Sequence, residues 1–81
     1  MTREEVFTKT HNIFKDIFDD DSLNITDSTN ADDIDTWDSL NHINLVNSVE
    51  KEFGVKFALG ELESLKDVGA MIDLTIKKLS K

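Results

Sequence analysis

Apolar residues recur at helical spacing in three parts of this chain, and this pattern constrains its fold more than any other feature. The three parts cover residues 3–18, 39–53 and 68–79. Alternating apolar and polar runs and hairpin dipeptides are both missing, so strands have little support. The sequence therefore predicts an all-α fold, a small bundle of three long helices and one short one.

Capping residues mark where these helices begin and end. Thr2 and Glu5 match the capping box that opens a helix, and Asp67 can cap the last one. Gly54 is placed to end the second helix in a left-handed conformation. Residues 59–65 are predicted to form the short helix. The apolar positions predicted to face inward on the second helix are Leu40, Ile43, Leu45, Val46, Val49 and Phe53.

The length and charge of the chain limit its possible functions. Its 81 residues fit one domain, 1–81, too small for an enclosed active site of the usual size. Without Cys, any thiol it uses must come from an attached cofactor. A formal net charge of −8 argues against nucleic acid as a partner and favours basic protein surfaces. The charged N-terminus and the lack of a long apolar run predict a cytoplasmic location without a membrane span, and the chain is expected to be a monomer.

A long acidic loop is predicted between the first two long helices. Lys and Arg are absent from residues 16–50, and eight Asp residues fall between positions 19 and 38. A loop of this length is uncommon in a compact domain unless it is functional. We expect its spaced apolar residues to pin it over the bundle, with Trp37 as the main anchor; these residues are Leu23, Ile25, Ala31, Ile34 and Trp37.

The tripeptide Asp38-Ser39-Leu40 ends the acidic loop and opens the second amphipathic helix. In this context it resembles the D-S-L signature of acyl carrier proteins, and the order and spacing of the elements agree over essentially the whole chain. The resemblance implies that Ser39 receives 4'-phosphopantetheine from coenzyme A, with Asp38 and Leu40 beside it. It further implies a carrier without catalysis of its own, modified by a phosphopantetheinyl transferase and served by acyl-loading and acyl-transfer enzymes with basic docking patches.

The outer face of the second helix departs from the pattern of many fatty-acid carriers. Where those carriers present Asp and Glu for docking, this chain has Asn41, Asn44, Asn47 and Ser48. Docking should then rely more on the loop. The expected docking residues are Asp35, Trp37, Asn41, Asn44 and Glu50. This departure predicts a carrier dedicated to a particular lipid, polyketide-like or surface-glycan pathway rather than to general fatty-acid synthesis.

The resemblance implies an acyl pocket between the helices, and His42, one turn beyond Ser39 and on the inward side at helical spacing, is expected to line its mouth. The residues expected to line it are His42, Ile43, Val46, Met71 and Ile72. A partly buried His42 bonded to a loop carbonyl is the structural alternative, and Met71 and Ile72 are also good core residues. If His42 lines the pocket mouth, long alkyl cargo should be disfavoured.

Several other interpretations of the same residues remain. Asp38 or Ser39 could act only as a helix cap. Asp38, Ser39 and His42 could form a nucleophile with its base, but no G-x-S-x-G elbow accompanies them. The acidic loop lacks the calcium-loop pattern, so no metal site is expected. An aminoacyl or peptidyl carrier, which typically shows L-G-G before the serine motif, is the second candidate, and an unmodified interaction module is the third.

Overall fold

The protein is described by a computed structural model that covers residues 2–62 and 65–79. Its helices are α1 (Arg3–Ile17), α2 (Ser39–Phe53), α3 (Leu59–Leu62) and α4 (Val68–Leu79). The described ranges contain helices, turns and irregular segments and no strand, which confirms the all-α prediction. The short helix was predicted over 59–65; Leu59–Leu62 are helical, positions 63–64 lie outside the described residues, and Leu65 is not helical. No helix of the described part is long and apolar enough to cross a membrane.

Two helix ends follow directly from local sequence. The backbone N–H of Glu5 donates to Thr2 Oγ1 at 3.1 Å, and the Thr2 N–H donates back to Glu5 Oε1 at 2.9 Å, so the predicted capping box is formed. The hydrogen bond from the Thr2 backbone lowers the pKa of the Glu5 carboxyl. Gly54 ends α2 in the left-handed region at φ 67°, and its N–H donates to the carbonyl of Glu50.

The first turn of α4 draws its hydrogen-bond partners from two parts of the chain. Asp67 Oδ1 accepts from the N–H of Ala70 at 2.8 Å, which confirms the predicted cap, and the Asp67 carbonyl accepts from Met71. The two remaining N–H groups donate to carbonyls of the acidic loop, Val68 to Thr29 at 2.9 Å and Gly69 to Asp27 at 2.8 Å. The three N–H groups of the first turn that have no acceptor within α4, those of Val68, Gly69 and Ala70, are thereby satisfied.

Gly69 permits this close approach of the loop to α4. A Cβ atom at this position would lie 2.9 Å from the carbonyl oxygen of Asp27, which is closer than real Cβ contacts. Arg3 supports the same junction, since its guanidinium donates to the carboxylates of Asp27 and Asp73 at 3.1 Å. These hydrogen bonds raise the pKa of Arg3, with Asp27 making the larger contribution. The N-terminus, the loop and α4 are therefore joined at one place.

The hydrophobic core lies where α1 packs against both α2 and α4. Its most deeply buried apolar side chains are Val6, Phe14, Leu45, Val49, Val68, Met71 and Ile72. Two predicted core residues of α2 are instead on the surface, since Leu40 is 68% exposed and Ile43 is 55% exposed. Leu40 precedes the buried Val49 by nine residues, about two and a half helical turns, so the two point to opposite sides of α2.

Apolar side chains of the segment between α1 and α2 pack onto the core. The sequence predicted this packing, and most of the residues that it named are buried. Ile25, Ile34 and Trp37 are buried, whereas Ala31 is exposed and does not anchor the segment. The indole of Trp37 meets the ring of Phe14 edge-on, with centroids 5.3 Å apart and an angle of 83°. This packing fixes the position of the residues that immediately precede α2.

Candidate functional site

Ser39 is exposed at the first position of α2, directly after the residue that caps the helix. Asp38 is the cap, because its Oδ1 accepts from the N–H of Asn41 at 2.9 Å. Ser39 is therefore free of the capping role. None of the hydrogen bonds in the described residues uses the N–H of Ser39 or Leu40. These donors and the positive end of the helix dipole favour a negatively charged group on the Ser39 oxygen.

An open groove of about 470 Å³ begins at Ser39. Its lining residues are Ala31, Trp37, Asp38, Ser39, His42, Ile43, Leu65 and Lys66. The sequence predicted that Asp38, Ser39, His42 and Ile43 would belong to the site, and the structure brings these four together. Ala31, Leu65 and Lys66 were not predicted, because they come from the loop and from the residues before α4, which no local pattern ties to Ser39.

His42 and Trp37 form a pair within this groove. The indole Nε1–H of Trp37 donates to His42 Nδ1 at 3.1 Å, and the two rings stack with centroids 6.1 Å apart at 21°. The alternative prediction for His42 was a hydrogen bond to a loop carbonyl. The structure shows a hydrogen bond to a loop side chain instead. The second histidine makes such a contact instead, since His11 Nε2 lies 2.7 Å from the carbonyl oxygen of Leu23.

Three residues assigned to the acyl pocket lie in the core and do not line the groove. Val46, Met71 and Ile72 are 5%, 1% and 0% exposed, and they pack within the buried cluster. A close-packed interior offers no preformed space beside them. Of the predicted pocket residues, the groove therefore joins only His42 and Ile43 to Ser39.

The predicted docking residues have different surroundings. Asp35 and Asn44 are exposed, whereas Asn41 is half-buried and its Nδ2 donates to the carbonyl of Thr36 at 2.7 Å. Asn41 thus ties α2 to the preceding loop. Two of the five predicted docking side chains, Asp35 and Asn44, are the ones left fully available to a partner.

Trp37 and Glu50 need correction as docking residues. Trp37 is only 6% exposed, because its indole packs in the aromatic cluster, so it anchors the loop and offers a partner little surface. Glu50 is half-buried, and its Oε2 accepts from the N–H of Phe57 at 2.8 Å, which fixes the segment after α2. Instead, Leu40 and Ile43 are large apolar side chains that are exposed close to Ser39.

The geometry does not support a nucleophile with its base. None of the described hydrogen bonds joins the Ser39 hydroxyl to His42 or Asp38; His42 Nδ1 accepts from Trp37, and Asp38 Oδ1 accepts from the Asn41 backbone. Over the ranges 2–62 and 65–79, no three His, Asp or Glu side chains are grouped so that they could hold a metal ion.

Comparison with known proteins identifies the family. Residues 9–75 match the family model described as "Phosphopantetheine attachment site". An acyl carrier protein of Petrotoga mobilis is 37% identical over 81 residues, covering 99% of this chain and 94% of the relative. The chain belongs to the acyl carrier protein family. An acyl carrier protein of Thermotoga maritima, 35% identical over 78 residues and 96% of both chains, agrees with this carrier assignment.

Solved structures show the same fold as this carrier. The holo acyl carrier protein from Geobacter metallireducens, solved by solution NMR, superposes with a TM-score of 0.87. It is 51% identical, over 93% of this chain and 86% of that one. The crystal structure of the acyl carrier protein from Thermotoga maritima gives a TM-score of 0.83 at 26% identity, covering 96% and 91% of the two chains.

The family match implies a covalently attached 4'-phosphopantetheine, and the site fits this group. An exposed hydroxyl, two N–H groups without described partners and an open groove occur together at Ser39. Members of the family are modified by phosphopantetheinyl transferases and interact with acyl-handling enzymes, and the comparisons support carrier function here.

Proposed function

We propose that this carrier bears 4'-phosphopantetheine on Ser39 and delivers acyl groups in a dedicated pathway. The observation that carries the proposal is the position of Ser39, exposed at the start of α2 and at the mouth of the groove while Asp38 provides the cap. When bound, the cofactor supplies the terminal thiol on which an acyl group is carried as a thioester. The protein itself is the substrate of its partner enzymes and catalyses none of these steps.

The residues around Ser39 have separate roles in the attachment that we propose. The Ser39 hydroxyl loses its proton and forms a phosphoester bond to the pantetheine phosphate of coenzyme A, and 3',5'-ADP leaves; the transferase accelerates this exchange. Asp38 keeps α2 capped throughout, so the first turn remains formed. The N–H groups of Ser39 and Leu40 then face the negative charge of the new diester.

The whole chain, residues 1–81, acts in our proposal as a single monomeric carrier domain. Its working form is a four-helix bundle, with α3 as the short helix and the segment before α2 as a long loop over the core. Basic patches on partner enzymes dock on the acidic loop, where Asp35 is exposed. The cytoplasmic location stays a prediction from the sequence.

A dedicated pathway is supported by the outer face of α2. Leu40, Ile43, Asn44 and Asn47 are exposed there, and the first turn of the helix contains no acidic residue. Enzymes that recognise carriers through acidic side chains on this face would find little charge to bind. We infer that the partners of this carrier accept a neutral helix, as enzymes of a dedicated lipid, polyketide-like or surface-glycan pathway could.

Intact mass spectrometry tests the attachment site. The apo protein and its Ser39→Ala variant are incubated with coenzyme A, magnesium and a broad-specificity phosphopantetheinyl transferase. Because the variant lacks the accepting oxygen, we expect wild type alone to gain the mass of one phosphopantetheine. A gain by the variant would move the attachment site to another residue, and no gain by either protein would favour the unmodified interaction module.

Substitution of the neutral face tests the dedicated pathway. In the double variant Asn44→Asp, Asn47→Asp, two carboxylates are added one turn apart on the exposed face of α2, and the structural bond of Asn41 to Thr36 is left intact. We expect kcat/KM with a general fatty-acid ketosynthase to rise about tenfold, the effect of roughly 1.4 kcal/mol of added attraction. Asn47→Ser is the neutral control. An unchanged kcat/KM would show that the uncharged face does not exclude the general pathway.

An aminoacyl or peptidyl carrier remains the second candidate function. Asp35, Thr36 and Trp37 stand where such carriers typically show L-G-G, and the curated relatives are named acyl carrier proteins. Loading assays with the holo protein would separate the two functions, since adenylating enzymes for amino acids should not acylate this carrier.

A further inference from the structure

The hydrogen bond between Trp37 and His42 determines which nitrogen of His42 carries a proton. An indole N–H can only donate, so His42 Nδ1 must accept and the ring proton must be on Nε2. The stacked arrangement of the two rings holds the imidazole in this orientation. His42 therefore has a fixed donor, its Nε2–H, on the side of the ring away from the Trp37 bond.

This donor is available at the groove. His42 lines the groove together with Ser39, and none of the described hydrogen bonds uses its Nε2. His42 follows Ser39 by three residues, so the two side chains are neighbours on α2, with Cβ atoms about 5–6 Å apart. A polar chain that starts at the Ser39 oxygen would reach the imidazole within a few bonds.

Lys66 supplies a positive charge to the same groove. It is the one Lys or Arg among the lining residues, and it forms no ion pair within the described ranges. The loop that precedes Ser39 is strongly acidic, and the chain has no Lys or Arg from residue 16 to residue 50. Lys66 is therefore placed to attract an anion at a site where most charges are negative.

The remaining walls of the groove are apolar. Ala31, Trp37, Ile43 and Leu65 line it beside the polar residues Asp38, Ser39, His42 and Lys66. The arm that the family carries combines matching groups: a charged phosphodiester, a branched gem-dimethyl carbon and two amides. A cation, an apolar wall and a hydrogen-bond donor are therefore all present in the groove for a chain that begins at Ser39.

We propose that His42 and Lys66 are positioning residues for the phosphopantetheine arm, which rests in this groove while the carrier is between enzymes. In this arrangement His42 Nε2–H donates to an amide carbonyl of the arm and Lys66 faces its phosphodiester. The inference rests on the proposed attachment at Ser39. It adds a docked state of the arm that the two side chains stabilise and that a partner enzyme must release.

NMR spectra of the apo and holo proteins, labelled with ¹⁵N, test the docked state. We expect attachment to shift the His42 Nε2 signal and the backbone amide signals of Ala31, Ile43 and Lys66. Ala31 and Lys66 are distant from Ser39 in sequence, so shifts at these two residues would report contact with the arm. His11 is an internal control, because its Nε2 already contacts the Leu23 carbonyl and should not shift. Shifts confined to Ser39 and its chain neighbours would overturn the proposal.

Two substitutions of His42 separate the donor from the structural bond to Trp37. His42→Asn keeps an acceptor at the position of Nδ1 and removes the donor at Nε2, whereas His42→Gln can place an amide N–H near Nε2. We expect the Asn variant to lose the apo-to-holo shifts at Ala31 and Lys66 and the Gln variant to retain them. Equal shifts in both variants and wild type would exclude His42 as a positioning residue.

Lys66→Gln and a matched change outside the groove complete the test. Loss of the charge should reduce the shifts at Ala31 and Ile43 and remove their dependence on salt concentration, whereas Lys56→Gln should alter neither. Intact mass is measured for every variant. Full modification without docked-arm shifts would refute this inference alone, and failure of wild type to be modified would refute the attachment at Ser39.

Discussion

At the residue scale, two neighbouring side chains at the start of α2 have different tasks. Asp38 closes the helix end by accepting from the Asn41 N–H, and Ser39 presents its hydroxyl to solvent. Serine is itself a good cap, so a chain without Asp38 could draw the Ser39 oxygen into hydrogen bonding with its own helix. The cap therefore keeps the modified residue accessible as well as stabilising α2.

Substitutions of Asp38 test this division of tasks. Asp38→Ala removes the acceptor for the Asn41 N–H and should lower the free energy of unfolding by about 1 kcal/mol. Asp38→Asn keeps a capping oxygen and should stay within about 0.5 kcal/mol of wild type. Urea unfolding followed by circular dichroism measures both. Equal losses in the two variants would mean that the charge of Asp38, and not its cap, stabilises the helix.

The sequence predicted the position of Ser39 at a helix start, but it did not predict how the residues beside Ser39 are packed. Asp38-Ser39-Leu40 is a local motif, and its position at a helix start follows from local capping chemistry. The orientation of Leu40 was predicted wrongly, because apolar character alone does not decide which of two possible helix faces is buried. The Trp37–His42 bond was missed because side-chain pairing depends on where the loop packs.

At the element scale, the acidic loop is part of the structure of α4. The carbonyls of Asp27 and Thr29 accept from the first two N–H groups of α4, about 40 residues further along the chain. The helix ends at Thr2, Gly54 and Asp67 were predictable, since their caps lie within a few residues. The contribution of the loop was not, because no periodic signal connects segments so distant in sequence.

Gly69 is the position most sensitive to this loop contact. In Gly69→Ala the new methyl group would lie 2.9 Å from the Asp27 carbonyl oxygen, so the loop must move away from α4. We expect a loss of about 1 to 3 kcal/mol in the free energy of unfolding. Urea denaturation measures this loss. Protease should also cleave the loop faster in the variant than in wild type.

Gly60→Ala is the matched control for this substitution. Gly60 also lies in a helix, but a Cβ there has no atom within 4 Å. Because Ala is a better helix former than Gly, this variant should be as stable as wild type or up to about 1 kcal/mol more stable. A similar loss in both variants would contradict a specific loop contact at Gly69.

At the scale of the whole molecule, the negative net charge is large for so small a domain. The formal net charge is −8, and the principal dimensions are 34 × 25 × 21 Å. The Debye length is about 30 Å at 10 mM ionic strength and about 10 Å at 100 mM. At low salt, therefore, most negative charges of the molecule repel one another, whereas at physiological salt only near neighbours do.

Thermal stability should consequently increase with salt. We expect Tm to rise by roughly 4 to 8 °C between about 10 and 150 mM sodium chloride, which corresponds to about 1 kcal/mol for a domain of this size. Circular dichroism at a series of salt concentrations measures it. Magnesium chloride at matched ionic strength is the comparison, and a much larger effect of magnesium would show cation binding rather than screening. A constant or falling Tm would contradict dominant repulsion.

The burial of Trp37 beside the attachment serine also has an optical consequence. The chain contains one Trp and no Tyr, so its near-ultraviolet emission comes essentially from this one indole. That indole lines the groove at Ser39 and is stacked on His42. Changes in what occupies the groove should therefore alter the intrinsic fluorescence of the unlabelled protein. The carrier contains its own reporter, with which loading and unloading could be followed in real time.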